Sequence, residues 1–211
     1  MIKKYEIIKA DSLLIGTHIL YRIKALRDFS GVKAGDLGGY IKSEENLCHN
    51  GTAWVGGNAW VSGNARVYGN AQVYGGAWVY GNAQVYGGAW VYGNAQVCGN
   101  AKVYGNAQVC CMAQFCGDSR VFGDARVRGE AEIKQERDCQ IFTGVGRNIG
   151  TLTAYRTKDG SVELTRDCFR GTIGEFRKAS EKSHADNPKI KQHYELLLQA
   201  IELWFGEGDA A

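Results

Sequence analysis

Residues 53–70 read Ala-Trp-Val-Gly-Gly-Asn-Ala-Trp-Val-Ser-Gly-Asn-Ala-Arg-Val-Tyr-Gly-Asn, three copies of one unit, Ala-x-Val-x-Gly-Asn. The unit recurs fourteen times from Ala53 to Ile133 without a slip. Valine holds its third place from Val55 to Val109, and Phe115, Val121, Val127 and Ile133 continue the series. Alanine stands two residues before each, replaced once by Ser119. A helix repeats about every 3.6 residues and a plain strand every two, so a strict period of six fits neither. It marks a β-solenoid, in which each unit supplies one short strand and one corner.

The unit resembles the hexapeptide repeat of left-handed parallel β-helices, aliphatic-x-Gly-Asn/Asp-small-x. The resemblance covers about 80 of the 211 residues. It implies three hexapeptides per triangular coil and a left-handed path, against the general preference of parallel crossovers. The fourteen units then make roughly 4.7 coils, about 22 Å tall at strand spacing. Valines point inward, alanines lie at the corners, and glycine and asparagine supply the left-handed backbone that corners need. Many proteins with this repeat are acyltransferases and many others are not enzymes, so the repeat speaks for fold and leaves function open.

At eighteen residues per coil, the outward residues fall into columns. Tyr68, Tyr86, Tyr104 and Phe122 form one, beside Arg66, Gln84, Lys102 and Arg120. Tyr74 and Tyr92 stand beside Trp54, Gln72, Trp90 and Gln108, and Tyr80 beside Trp60 and Trp78. From Gly51 to Gly117 the only charges are Arg66 and Lys102. Two readings stand. Stacked rings stabilise flat parallel strands, at about 0.2–1 kcal/mol per pair. Alternatively, bare aromatic faces meet another chain, with Tyr68, Tyr86, Tyr104, Trp78 and Trp90 as the interface. Helical prisms of this repeat commonly form trimers, so the resemblance implies self-assembly, with a trimer favoured.

The flanks differ from the repeat. Residues 1–50 read as an N-terminal cap, α+β or β, covering the open strand edges of the first coil. Its one clear strand is Ile19 to Leu26, followed by turns at Gly31, Gly35, Gly38 and Gly39. Residues 51–134 are the solenoid. Residues 135–211 read as a β-hairpin plus two helices. The strands are Ile149 to Arg156 and Ser161 to Arg166, joined at Lys158-Asp159-Gly160. Thr172 with Glu175 forms a capping box for the first helix, and Asn187-Pro188 starts the second. The apolar stripe of that second helix is Ile190, Tyr194, Leu197, Leu198, Ile201, Trp204 and Phe205. The fold class is therefore mainly β, a short parallel β-helix with two appended modules. Within the repeat, Cys111 and Met112 replace Gly and Asn, which implies a widened corner or a contact with another segment.

A net charge of +3 is too small to imply DNA. No segment approaches the roughly 18 apolar residues of a membrane span, and Met1-Ile2-Lys3-Lys4 lacks a signal-peptide core. The cytoplasm is the expected compartment, the host's if the protein is phage-borne. Seven cysteines without a CxxC pair suit it. Cys98 and Cys116 lie one coil apart, where strand spacing brings them together, but a cytosolic protein keeps such a pair reduced. No metal site is expected from Cys110, Cys111 and Cys116, which have no histidine nearby in the sequence.

Catalysis has little to stand on. Acyltransferases of this repeat use a histidine base, and the solenoid has none. His49, at the mouth of the first coil, is the one candidate; His18 lies in the cap, and His184 and His193 in the helical module. Gly144-Val145-Gly146 opens no helix in a βαβ unit. No cofactor motif appears and no catalytic residue is assigned. Arg147, Arg156, Lys158, Arg166 and Arg170 gather along the C-terminal hairpin and the turn into the first helix, a geometry that suits an anion. They are also ordinary surface charges balanced by Glu163, Asp159 and Asp167.

A second resemblance spans nearly the whole chain. Tyr21 to Phe29 with Lys33 to Gly39, and Thr153 to Gly160 with Cys168 to Thr172, look like the two ends of GNAxV-repeat proteins carried by phages and prophages. It implies a phage-type accessory protein, such as one that sequesters a host-defence nucleotide signal. The function expected is a non-enzymatic, homo-oligomeric binding protein for a small anionic, nucleotide-like ligand. The alternatives are an acyltransferase using His49, and a purely structural or protein-interaction module.

Overall fold

A computed structural model of the chain describes residues 2–206. Three strands come first: β1 (Tyr5–Ile15), β2 (His18–Ala25) and β3 (Leu37–Ile41). The repeat then forms fourteen two-residue strands, from β4 (Trp54–Val55) at six-residue steps to β17 (Glu132–Ile133). The chain closes with β18 (Cys139–Val145), β19 (Gly150–Arg156), β20 (Val162–Arg166), β21 (Phe169–Thr172), α1 (Ile173–Ser183) and α2 (Pro188–Gly206).

The solenoid is a parallel one of about five turns. Each strand pairs in register with the strand eighteen residues on, so that Val79 faces Val97 and Gln84 faces Lys102. Three parallel stacks result, and every valine is buried on the axis. The alanines are buried too, packed inward beside the valines rather than forming the corners. The corners are the Gly-Asn pairs. From Gly57 to Gly129 the corner glycines take φ between 61° and 73°. At Gly81 an added Cβ would lie 3.0 Å from the Gly99 nitrogen of the next coil, so both backbone and space demand glycine. Asparagine does not share the left-handed backbone. Its side chain instead bonds along the stack, Asn64 to Asn82 at 3.1 Å, Asn82 to Asn100 at 3.0 Å and Asn100 to Asp118 at 2.8 Å.

The expected widening at Cys111-Met112 does not occur. Asn94 still donates to Cys111 O at 2.8 Å and Met112 to Gly129 O at 3.0 Å. The ladder above and below holds the corner, and Cys111 accepts the glycine backbone at φ 67°. Cys98 and Cys116 are in-register neighbours, Cα atoms 4.5 Å apart, and they form a disulfide rather than a reduced pair. Stacking at strand spacing puts two thiols within bonding reach.

Among its described residues the N-terminal cap is built of strands and one 3-10 turn (Glu44–Asn46), with no α-helix. β1 and β2 pair antiparallel, β2 pairs antiparallel with β3, and β3 then pairs parallel with β5 (Trp60–Val61). The hairpin thus extends one solenoid stack into an eight-stranded sheet. Tyr5, Ile23, Ile41 and Leu47 continue the valine core. β1 has no clear period because a bulge between Ile8 and Ser12 switches its faces. The C-terminal hairpin is the middle of a four-stranded antiparallel sheet, β18-β19-β20-β21. Cys139 and Tyr155 on one face close the solenoid core, while Leu152, Ala154 and Leu164 on the other pack under both helices. Among the described residues no helix is long and apolar enough to cross a membrane.

Candidate interaction surfaces

The tyrosine column stands as a ladder. Tyr68 and Tyr86 lie 4.8 Å apart, Tyr86 and Tyr104 5.0 Å, both pairs tilted by 3°. Phe122 adds a fourth rung at 5.5 Å. The Tyr68 hydroxyl donates to Gln84 at 3.2 Å. All four rings are half-buried, much of their surface facing one another.

The tryptophans behave differently. Trp54 is 2% exposed, covered by Tyr5 and Phe29 of the cap. Trp60 is 9% exposed under Leu20 and Tyr40. Trp78, its ring 4.7 Å from that of Trp60 and tilted by 32°, is 40% exposed, and Trp90 is 47% exposed. They occupy two different stacks of the solenoid. The cap therefore covers the first two tryptophans of the repeat and leaves the next two bare.

The five C-terminal cations do not converge. Alternation along the strands puts Arg156 and Arg166 on the helix side of the sheet and Arg170 on the solenoid side. Arg156 donates to the Phe205 carbonyl at 2.7 Å and to Gly160 O at 3.1 Å, fixing the end of α2. Arg166 donates to Val145 O at 2.8 Å and to Asp167 at 2.5 Å, over the Tyr194 ring. Arg170 is paired with Glu163, which raises its pKa further. The hollow around Arg170 also holds Glu130, Asp159 and Glu175. Four carboxylates there outweigh one guanidinium, so it is no ready seat for an anion. The α1 start is also occupied: Glu175 accepts from the Thr172 N–H at 2.8 Å, and that contact holds its carboxyl below the usual range. Arg147 and Lys158 are exposed, the first in the β18–β19 turn and the second in the β19–β20 turn.

His49 is a cap residue. Its ring stacks on Tyr5 at 4.3 Å, and its Nδ1 accepts the Lys4 N–H at 3.2 Å. That contact leaves the proton of the neutral ring on Nε2, which lies 3.6 Å from Glu44. With one nitrogen occupied and the other protonated, the neutral ring offers no lone pair to a substrate. His184 stacks 5.5 Å from Tyr194, and His18 and His193 are exposed.

A groove that the sequence did not single out lies where the ladder meets the C-terminal module. It encloses about 710 Å³ and is lined by Tyr104, Phe122, Arg120, Arg137 and Trp204, with Glu136, Gln140 and Ile141. Trp204, 51% exposed, donates its indole N–H to Arg137 O at 3.0 Å. Cys139 also borders it, and burial pushes that thiol up to about 12, so it stays neutral. Periodicity had shown Arg120 as a column neighbour of the ladder; Arg137 and Trp204 join it only through the packing of the C-terminal module.

Four stretches of the chain, 59–75, 65–81, 77–93 and 95–110, are similar to the family model of the YdcK β-solenoid repeat. All lie inside the coils described above, and the chain is a β-helix repeat protein. No curated protein matches it.

Proposed function

We propose that this β-helix is a non-enzymatic binding scaffold that assembles with copies of itself, as a trimer, and holds a small anionic, nucleotide-like ligand. The observation that carries the assembly is the contrast among the tryptophans: the same residue is core where the cap covers it and bare at Trp78 and Trp90. A surface that combines bare tryptophans with only two charges over 67 residues, Gly51 to Gly117, favours a partner of the same character. Two exposed faces per protomer suit a head-to-tail contact that closes into a ring. The tyrosine ladder is the less exposed part and serves first to stiffen the coils. The ligand reading draws support from the mixed aromatic and cationic groove, and the resemblance to phage-borne repeat proteins suits sequestration of a signal molecule. His49, held inside the cap, favours a non-catalytic role over acyl transfer.

Native mass spectrometry of the purified protein tests the assembly. A discrete multimer is expected, and Trp78→Glu with Trp90→Glu is expected to give a monomer that still folds, with a cooperative melt and the wild-type circular-dichroism spectrum. A wild-type protein that stays monomeric at about 50 µM, where weak but specific contacts already register, overturns the assembly.

A further inference from the structure

We propose that the groove between the end of the tyrosine ladder and the C-terminal module binds a planar aromatic ring that carries an anionic group. This gives a place and a chemistry to the ligand-binding half of the function above, rests on that half, and is independent of self-assembly.

The ladder supplies the first argument. Its rungs recur once per coil, at 4.8, 5.0 and 5.5 Å. The eighteenth residue after Phe122 is Gln140, and the chain has already left the coil at the Glu136–Asp138 turn. Among the described residues no ring follows Phe122 in the stack, and Phe122 lines the groove. A flat ring laid on Phe122 from the groove becomes the next rung, held by the offset stacking that holds the others.

Charge supplies the second. Arg120 opens the two-residue strand that Phe122 follows, and Arg137 stands on the turn beyond it. Among the described residues neither guanidinium has an ion-pair partner, whereas Arg156, Arg166 and Arg170 are engaged by protein groups. Among the described residues the two guanidiniums face one lining carboxylate, Glu136, which leaves that part of the lining net positive. A fork of N–H donors suits a carboxylate or a phosphate equally.

Rigidity supplies the third. One wall is the solenoid's outer column, Tyr104, Arg120 and Phe122, carried on paired coils. The opposite wall, Trp204, is pinned through its indole N–H to Arg137, and Arg156 fixes the helix end beside it. The volume falls within the range of about 300–1,000 Å³ usual for small-ligand sites.

Isothermal titration calorimetry tests the proposal with four probes: adenosine 5′-monophosphate, adenosine, inorganic phosphate and naphthoate. At least one of the two aromatic anions is expected to bind saturably. Adenosine and phosphate are expected to bind about tenfold more weakly or worse, since each engages half of the site. Preference for the monophosphate assigns a nucleotide, and preference for naphthoate assigns an aromatic acid. Phe122→Leu, which keeps apolar volume and removes the ring, and Arg120→Gln with Arg137→Gln are each expected to weaken binding about tenfold, with melting temperatures confirming that the variants fold. No saturable binding of either aromatic anion up to about 1 mM overturns the proposal. So does binding that Phe122→Leu leaves unchanged. The same titration on Trp78→Glu with Trp90→Glu separates the two readings. A monomer that still binds upholds the groove whatever becomes of assembly, and an intact multimer that binds neither aromatic anion removes the groove alone.

Discussion

The Lys4 side chain lies wholly inside the cap, its Nζ donating to Ala53 O at 2.6 Å and 5.3 Å from the Phe29 ring centre. Burial lowers its pKa from 10.5 to about 8, and nearby Cys48 opposes that only in part. Between those two values the unfolded chain holds the proton and the folded chain has released it. Stability from this group therefore rises with pH across that window, and below pH 8 both states are protonated and the cost of the buried ammonium is carried in full. Relative to Lys4→Met, the wild type is expected to gain about 1.5 kcal/mol between pH 8 and pH 9.5 in denaturant titrations. A flat difference across that range excludes a buried ammonium. The sequence reading missed this residue, since nothing in Lys3-Lys4 marks which of the two turns inward. Cys111 is the reverse case: its place in the repeat identifies the glycine it replaces, and its φ of 67° follows.

At the level of elements, the solenoid is closed at both ends by the same device. Asn46 Oδ1 accepts from the N–H groups of Lys42 and Ser43 at 3.1 and 3.0 Å, and its amide donates to Gly63 O and Ala65 O at 3.1 and 2.8 Å. Asp138 Oδ2 accepts from Lys134 and Gln135 at 3.0 Å each. Each turn redirects a backbone that would otherwise leave unpaired groups at the end of the coil. Asn46→Ala removes a buried side chain with all its partners and is expected to cost about 2–4 kcal/mol in chemical denaturation. A loss under about 1 kcal/mol makes the turn incidental. Neither turn was legible beforehand, because Asn46 and Asp138 lie outside the repeat and their partners come from other strands or neighbouring backbone.

For the whole molecule, two cores share one sheet. The valine core runs from Tyr5 through the coils to Tyr155, and a second core, with Leu198 and Ile201, lies between the other face of that sheet and the helices. Leu198→Ala opens a cavity in the second core only and is expected to cost about 2–5 kcal/mol. The helical circular-dichroism signal is then expected to melt before the solenoid; a single coincident transition shows instead that the sheet couples the two cores fully.

The repeat by itself determined the solenoid, its inward valines, its corner glycines and the columns of rings, because each follows from a period of six repeated without interruption. Local signals likewise placed the Thr172–Glu175 cap and the start of α2. Tertiary structure alone decided that β1 and β2 extend a solenoid stack and that two more strands flank the C-terminal hairpin. It alone decided which cations are engaged, and that Arg137 and Trp204 stand beside the last rung of the ladder. The physical reason is range. A periodic neighbour is always eighteen residues away and can be counted, whereas Trp204 reaches Arg137 across 67 residues of non-repeating chain, where only packing decides what meets.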